Sequence, residues 1–211
     1  MYIPKHYNGK DKQESIAFMK RFNFGTIITS IDNIPFATHL PFIIAERDNE
    51  IIISSHFSKA NEHWKHIESN ESLIIFSEPH AYISPKNYVK QENVPTWNYI
   101  SVHAYGKAKI KGNPKEVTEM LEHMMDDFDP DYKKQWNSIS DDYKTRMAKG
   151  IVAFEVQVSK LQSKEKLSQN KMETERKSII KSLSKSKTTN EKIISEYMKL
   201  NELNTTKPKL H

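Results

Sequence analysis

The sequence predicts a β-rich α+β domain whose short strands form a small antiparallel barrel with helices inserted between them. Three observations carry this. Runs of alternating or wholly apolar residues, none longer than a strand needs, recur from Phe24 to Val158. Adjacent runs are joined by polar turns such as Asp32-Asn33, which reads as a hairpin connection. Helical stripes occur between some runs and near the C-terminal end, yet the regular strand–helix rhythm of a parallel sheet is missing.

In chain order, Asp11 to Phe22 reads as a short helix, with Ile16, Phe18, Met19 and Phe22 as its apolar stripe and Asp11 as its cap. Phe24 to Ile31 is the first strand, and Ile34 to Ala45 its hairpin partner across Asp32-Asn33. A polar turn at 46–49 leads into a strand at Glu50 to Ser55. Ser58 then opens a helix to about Glu68, with Ala60, Trp64 and Ile67 on one face. Ser72 to Ser77 is a strand, and Pro79 and Pro85 break the segment after it. Thr96 to Lys111 is a long strand. Asn113-Pro114 starts a helix whose stripe is Val117, Met120, Leu121 and Met124. Asp126 to Asp131 reads as an acidic turn, Ser140 to Lys149 as a short helix ended by Gly150, and Ile151 to Val158 as an alternating strand. Past Lys171, two amphipathic helices, Glu173 to Ser184 and Asn190 to Leu200, are joined by a loose SKSKTTN, and Asn204 to His211 reads as a frayed tail. The expected organisation is a domain over 1–171 and a basic helical extension over 172–211.

Composition narrows the function classes. The chain of 211 residues has no cysteine, so disulfides, thiolate metal sites and a cysteine nucleophile are out, which fits a reducing cytoplasm. The opening MYIPKHYNGKDKQES lacks the basic-then-apolar pattern of a secretory signal, and no apolar run approaches the ~20 residues of a membrane span. A soluble, cytoplasmic protein is expected. The net charge of +5 is uneven: Ser159 to His211 has 13 basic and 6 acidic residues, a balance of +7, leaving −2 for the rest. Such a segment attracts nucleic acid by counterion release. Its lysines are interspersed with glutamates, however, and a solvated helix surface is the better reading.

The densest ligand chemistry lies in VPTWNYISVHAYGK, Val94 to Lys107. One strand face carries Trp97, Tyr99, Ser101, His103 and Tyr105, and the other Asn98, Ile100, Val102 and Ala104. Rings with polar edges suit a planar, heteroatom-rich ligand; an aromatic sheet core is the plainer alternative. In SSHFSKANEHW, Ser54 to Trp64, a strand running into a helix near Ser58 offers backbone N–H groups, the Ser58 hydroxyl, the Lys59 charge and the His56 ring to an anion such as a phosphate. A simple N-cap at Ser58 explains the same residues equally well. His63 and His66 have spacing that can hold a metal, but no further ligand is evident, and a polar helix face explains them better. In PFATHLPF, Pro35 to Phe42, Thr38 and His39 interrupt an apolar strand, either as structural hydrogen-bonding groups or as ligand contacts.

These segments share their order with a known family. MYIPKHY, GTIITS, PFATHLPF, SSHFSKANEHW, EPHAYISPKNY, VPTWNYISVHAYGK and KLSQNK together resemble the PaiB family of FMN-binding negative transcriptional regulators, from Met1 to about Lys171. The resemblance implies an FMN-binding split β-barrel, antiparallel and Greek-key-like, with inserted and C-terminal helices, dimeric and with flavin sites between subunits. It implies FMN contacts at Thr38, His39, Leu40, His56, Ser58, Lys59, Asn61, Thr96, Trp97, Asn98 and Tyr99, with Gly25-Thr26 nearby. Gln169 and Asn170 would reach the partner subunit's flavin. His103 would serve the flavin or the dimer interface. Lys171 stands where the family commonly has arginine, which keeps the charge without the bidentate geometry.

Two function classes follow. The first is a flavin-dependent regulator that binds DNA or a regulatory protein. No helix-turn-helix is legible, because the C-terminal helices are separated by a loose stretch rather than a short turn. The second is an FMN-dependent oxidoreductase, a flavin reductase or oxidase, in which His39, His103 or Tyr99 relays a proton beside a ring that carries the redox chemistry. A glycine fingerprint for a nicotinamide is absent. Haem is a third ligand of related barrels, and nothing in the sequence favours it over FMN. The regulator is the expected role.

Overall fold

The structure, a computed structural model, describes residues 1–9 and 11–206, with the side chains of 204–206 excepted. Its elements are α1 (Lys12–Arg21), β1 (Phe24–Ile31), β2 (Ile34–Pro41), β3 (Ile43–Arg47), β4 (Glu50–Ser58), β5 (Glu71–Phe76), β6 (His80–Ile83), β7 (Thr96–Ile110), α2 (Pro114–Phe128), α3 (Tyr132–Ser138), α4 (Asp141–Ala148), β8 (Ile151–Lys166), α5 (Glu173–Ser184) and α6 (Thr189–Thr206). The strands run in the order β2-β1-β5-β7-β8-β4-β3, with β6 paired to β7. The chain divides into two compact units. A sheet unit comprises 15–76 and 103–161; a terminal unit comprises 1–14, 77–102 and the chain from 162 onward.

In the sheet unit, two tight hairpins fix register. Asp32 and Asn33 at φ 50° and 65°, and Asp48 and Asn49 at φ 52° and 66°, take left-handed conformations that short Asx side chains tolerate and that match strand twist. They set Ile31 opposite Ile34 and Arg47 opposite Glu50. The alternation within each strand then sends Ile27, Ile53, Phe57, Ile74, Phe76, Phe154 and Val156 inward, all fully buried. The stripe of α2 buries Val117 and Met120 against Ala153. In contrast, β2 is exposed or half-buried along its whole length.

In the terminal unit, α5 and α6 form an antiparallel hairpin. Arg176 in the first turns of α5 pairs with Glu202 near the end of α6, and the Ser195 hydroxyl donates to the Ile180 carbonyl (3.1 Å) between them. Ile179, Leu183, Ile194 and Met198 are buried there. Glu175 accepts from Met172 N (3.2 Å) at the start of α5 and from Val89 N (3.0 Å).

Several expectations change. Ser58 does not open a helix. It ends β4, and only a 3-10 turn, Glu62–Lys65, follows, with Asn61 accepting from His63 N. The apolar stripe of Ala60, Trp64 and Ile67 suggested a longer helix, but the backbone N–H of Lys59 bonds to Gly150 O (2.8 Å), which keeps the chain on the sheet. The predicted strand from Ile34 to Ala45 is two strands, broken at Phe42, whose buried ring packs on Phe76 at 5.6 Å. The acidic segment at 126–131 lies partly inside α2, and α3 was not foreseen. The strand from Ile151 continues to Lys166, well past Val158, through a polar stretch whose ladder supplies what its side chains do not advertise. The link from α5 to α6 is only Lys185 to Thr188, short rather than loose. The short link removes the ground on which the sequence argues against a helix-turn-helix there. Residues 204–206 extend α6, and the rest of the expected tail, 207–211, lies outside the described residues. No helix among the described residues is long and apolar enough to cross a membrane.

Candidate functional site

The sheet unit gathers part of the predicted set into a polar network. Thr38, half-buried on β2, receives a hydrogen bond from Asn61 Nδ2 (3.1 Å) and meets His63 Nδ1 at 2.9 Å. Asn61 Oδ1 in turn accepts from His63 N (3.1 Å), which locks the 3-10 turn against the strand. His63 has no exposed surface and lies between the Phe36 and Phe57 rings, at 4.9 and 5.2 Å. Burial, with the neighbouring His66, holds its ring down to a pKa of about 4, so it is neutral at pH 7. With Asn61 donating to the Thr38 oxygen, the Thr38 proton is available to Nδ1, which leaves the ring proton on Nε2. That tautomer is assigned from the network. The Nε2 is buried and has no hydrogen-bond partner.

The other predicted groups of this unit lie on the same strands. Thr26 and His39 are opposite each other in the β1–β2 register, and Thr26 Oγ1 meets His39 Nδ1 at 2.8 Å. His39 is exposed, and Leu40 next to it is half-buried opposite Gly25. A side chain at Gly25 would press on Ile75 O at 2.9 Å. His56 on β4 has a buried Nδ1 without a partner, and burial lowers its pKa. Ser58 and Lys59, two and three residues on, are exposed at the strand's end. Without a helix there, the backbone-amide part of the anion reading falls away; the exposed hydroxyl and ammonium stay. His103 on β7 also buries an unpartnered Nδ1, again with its pKa lowered by burial.

In the terminal unit the two faces of β7 separate as predicted. Trp97 is exposed and Tyr99 half-buried, whereas Asn98 and Ile100 are buried. Trp97 meets Tyr82 edge-on at 5.8 Å. Asn98 accepts from Ser168 Oγ (3.0 Å) and donates to Met198 Sδ (3.6 Å), so its amide serves the interior of this unit. Thr96 receives a hydrogen bond from Lys166. KLSQNK forms a tight turn after β8, with Ser168 at φ 61°. Within it, Gln169 accepts from Leu167 N (2.8 Å) and donates to Glu165 O (2.6 Å), and Asn170 accepts from the Tyr7 hydroxyl (3.0 Å). Gln169 also lines a cavity of about 560 Å³, together with Lys5, His6, Arg176 and Glu202.

Sequence reasoning passes over His63 as a flavin-site candidate and over Lys164 altogether, and reads Lys166 only as the first residue of the KLSQNK motif. The pattern HxxH drew attention to a metal at His63, yet no cluster of three metal-ligating side chains occurs among the described residues. The period-2 placement of Gln162, Lys164 and Lys166 is the available signal for the two lysines, and a strand ending at Val158 conceals it.

Comparison with known proteins matches these elements. The family model described as "Putative FMN-binding domain" matches residues 1–160. The "Protease synthase and sporulation protein PAI 2" of Bacillus subtilis is 37% identical over 201 residues, covering 94% of this chain and 96% of that protein. Two solved structures share the fold. The flavocytochrome Anf3 of Azotobacter vinelandii has a TM-score of 0.61 at 15% identity, over 78% of this chain and 72% of its own. The FAD and heme binding protein of Mycobacterium smegmatis has a TM-score of 0.59 at 11% identity, over 76% and 73%. The antiparallel sheet with inserted and C-terminal helices is thus the flavin-binding split barrel, and this chain belongs to the PaiB family of FMN-binding proteins.

Proposed function

We propose that this protein is an FMN-binding regulator of PaiB type that works as a homodimer with its flavins at the subunit interface. The observation that carries this reading is the end-to-end likeness to the Bacillus subtilis protein, whose name ties it to protease synthesis and sporulation. A family match confined to the flavin domain would support binding alone. Here the likeness covers 94% of the chain, which supports extending the relative's named part in protease synthesis and sporulation to this protein.

The groups present fit FMN. Three buried ring nitrogens in the sheet unit, at His56, His63 and His103, have no hydrogen-bond partner among the described residues. Buried polar atoms left unpaired cost about 1–3 kcal/mol each, and a heteroatom-rich ring or ribityl chain supplies the missing bonds. Thr38 and Asn61 add polar edges beside His63, and His39 presents an exposed ring further along β2. Ser58 and Lys59 offer an exposed hydroxyl and a cation to the phosphate. In the terminal unit, Trp97 and Tyr99 present rings with Thr96 beside them, and Asn170 would reach the flavin of a partner subunit, whereas the amides of Asn98 and Gln169 are engaged inside the unit and do not fit a flavin contact as they stand. Bound FMN supplies redox chemistry; the chain's part is to hold it and to sense its state.

Direct DNA contact, if it is the route of regulation, falls to the lysines that α5, α6 and their link leave exposed, Lys177, Lys181, Lys185, Lys187 and Lys192 among them. The test begins with an absorption spectrum of the purified protein, before and after adding FMN and removing the excess. Retained flavin bands support the reading, and a protein that refuses FMN overturns it. Bleaching by NADH at a turnover rate would move the role from regulation to catalysis.

A further inference from the structure

The end of β8 carries two cations with no countercharge among the described residues. Lys164 is 9% exposed and Lys166 is half-buried. They are two residues apart on a strand, so they share a face at a spacing of about 7 Å. Neither forms an ion pair with any described residue. Burying an ammonium without an anion is costly, and proteins ordinarily answer it with a carboxylate. Glu165, the acid between them in sequence, points to the opposite face by strand alternation.

Their surroundings only partly make up the deficit. Lys164 donates to the Tyr2 carbonyl (3.2 Å) and lies over the rings of Tyr99 and Tyr2, at 5.2 and 5.8 Å. Lys166 donates to Thr96 Oγ1. Each ammonium has three N–H donors, so each keeps two beyond its one partner in the chain. The pKa of Lys166 is lowered, first by burial and also by the like charge of Lys164, with Tyr99 opposing the shift in part.

We propose that Lys164 and Lys166, with the Thr96 hydroxyl, form a site for a small oxyanion of the phosphate or carboxylate class, separate from the flavin phosphate. The anion supplies the countercharge and takes the spare N–H donors of both ammoniums. Tyr99 keeps Lys164 in place through its ring, while Thr96 orients Lys166. Thr96 and Tyr99 also belong to the proposed flavin set. Where that assignment holds, the oxyanion lies beside the flavin, as a substrate or effector would. The binding itself does not depend on it.

The experiment is calorimetric titration of inorganic phosphate into the full-length protein, in a buffer free of other oxyanions, with and without saturating FMN. The expected result is saturable binding, one phosphate per chain, in both forms, weakened about tenfold or more by Lys166→Met. Lys164→Met acts likewise, and the half-buried Lys166 is the safer test should Lys164→Met fail to fold. No saturable binding to the folded wild type overturns the proposal. So does binding that Lys166→Met leaves intact. Competition between phosphate and FMN overturns it too, because the lysines would then belong to the flavin phosphate. A protein that takes phosphate but no flavin sinks the FMN reading and leaves this one standing.

Discussion

Acidification isolates the energetic consequence of burying His63. Its ring is held at a pKa of about 4 in the fold, against 6.5 as the ordinary value that the unfolded chain shows. The unfolded chain therefore takes up a proton that the folded one refuses. The stability tied to a neutral His63 is full above pH 6.5 and is lost as pH falls toward 4. Holding the ring neutral down to about 4 corresponds to about 3 kcal/mol, most of it gone by pH 4.5. The ring has no exposed surface, which keeps solvent screening of this effect small. His56 and His103 shift in the same direction and steepen the whole curve. Their share cancels in a difference between wild type and His63→Gln. Urea unfolding of both proteins at a series of pH values from 7.5 to 4.5 gives that difference. Wild type is expected to lose about 2–3 kcal/mol relative to the variant over this range. A difference flat to within ~0.5 kcal/mol would refute the reasoning. So would a His63 ring titration above pH 6 by NMR.

The remaining expectations concern packing, flavin and nucleic acid. A Cβ at Gly106 would lie 2.2 Å from Gln157 O and 2.8 Å from Val156 Cγ1, so Gly106→Ala must spread β7 from β8 at a cost of about 2–4 kcal/mol, seen as a fall in Tm. Gly112→Ala, with nothing within 4 Å, is the control that should stay within ~0.5 kcal/mol. Lys59→Ala should weaken FMN about tenfold by flavin-fluorescence titration, and unchanged affinity would move the phosphate elsewhere. If DNA is the partner, a triple change of Lys181, Lys185 and Lys187 to Glu should abolish salt-dependent binding in a gel-shift assay without lowering Tm; binding that survives it rules out the α5–α6 surface. Truncation after Lys171 is a poorer test, because it removes the buried Ile179, Ile194 and Met198 and with them the packing of the terminal unit.

Local pattern carried much of the fold. The period-2 runs and the Asx turns at 32–33 located the first hairpin, and Glu173 to Ser184 is a helix at the residues its stripe marks. The errors arose where two periodicities compete. SKANEHWKHI has helical spacing, but a hydrogen bond from Lys59 N to Gly150 O, 91 positions away, settles its backbone as strand and turn. QSKEK is too polar to read as a strand, yet it continues β8 because the ladder, and not the side chains, supplies its pairing.

For the site, the sequence by itself determined the chemical inventory: rings and amides in VPTWNYISVHAYGK, a hydroxyl and a cation at Ser58-Lys59, and the order of motifs that marks the family. It could not say which of those groups are already occupied. Asn98 turns inward to Ser168 and Met198, Gln169 folds back on its own turn, and His63 becomes a neutral, buried donor through Thr38 and Asn61. Only the tertiary structure decides these outcomes. A side chain's protonation and free valence depend on neighbours brought near by folding, and sequence spacing holds no record of which distant residues will be there.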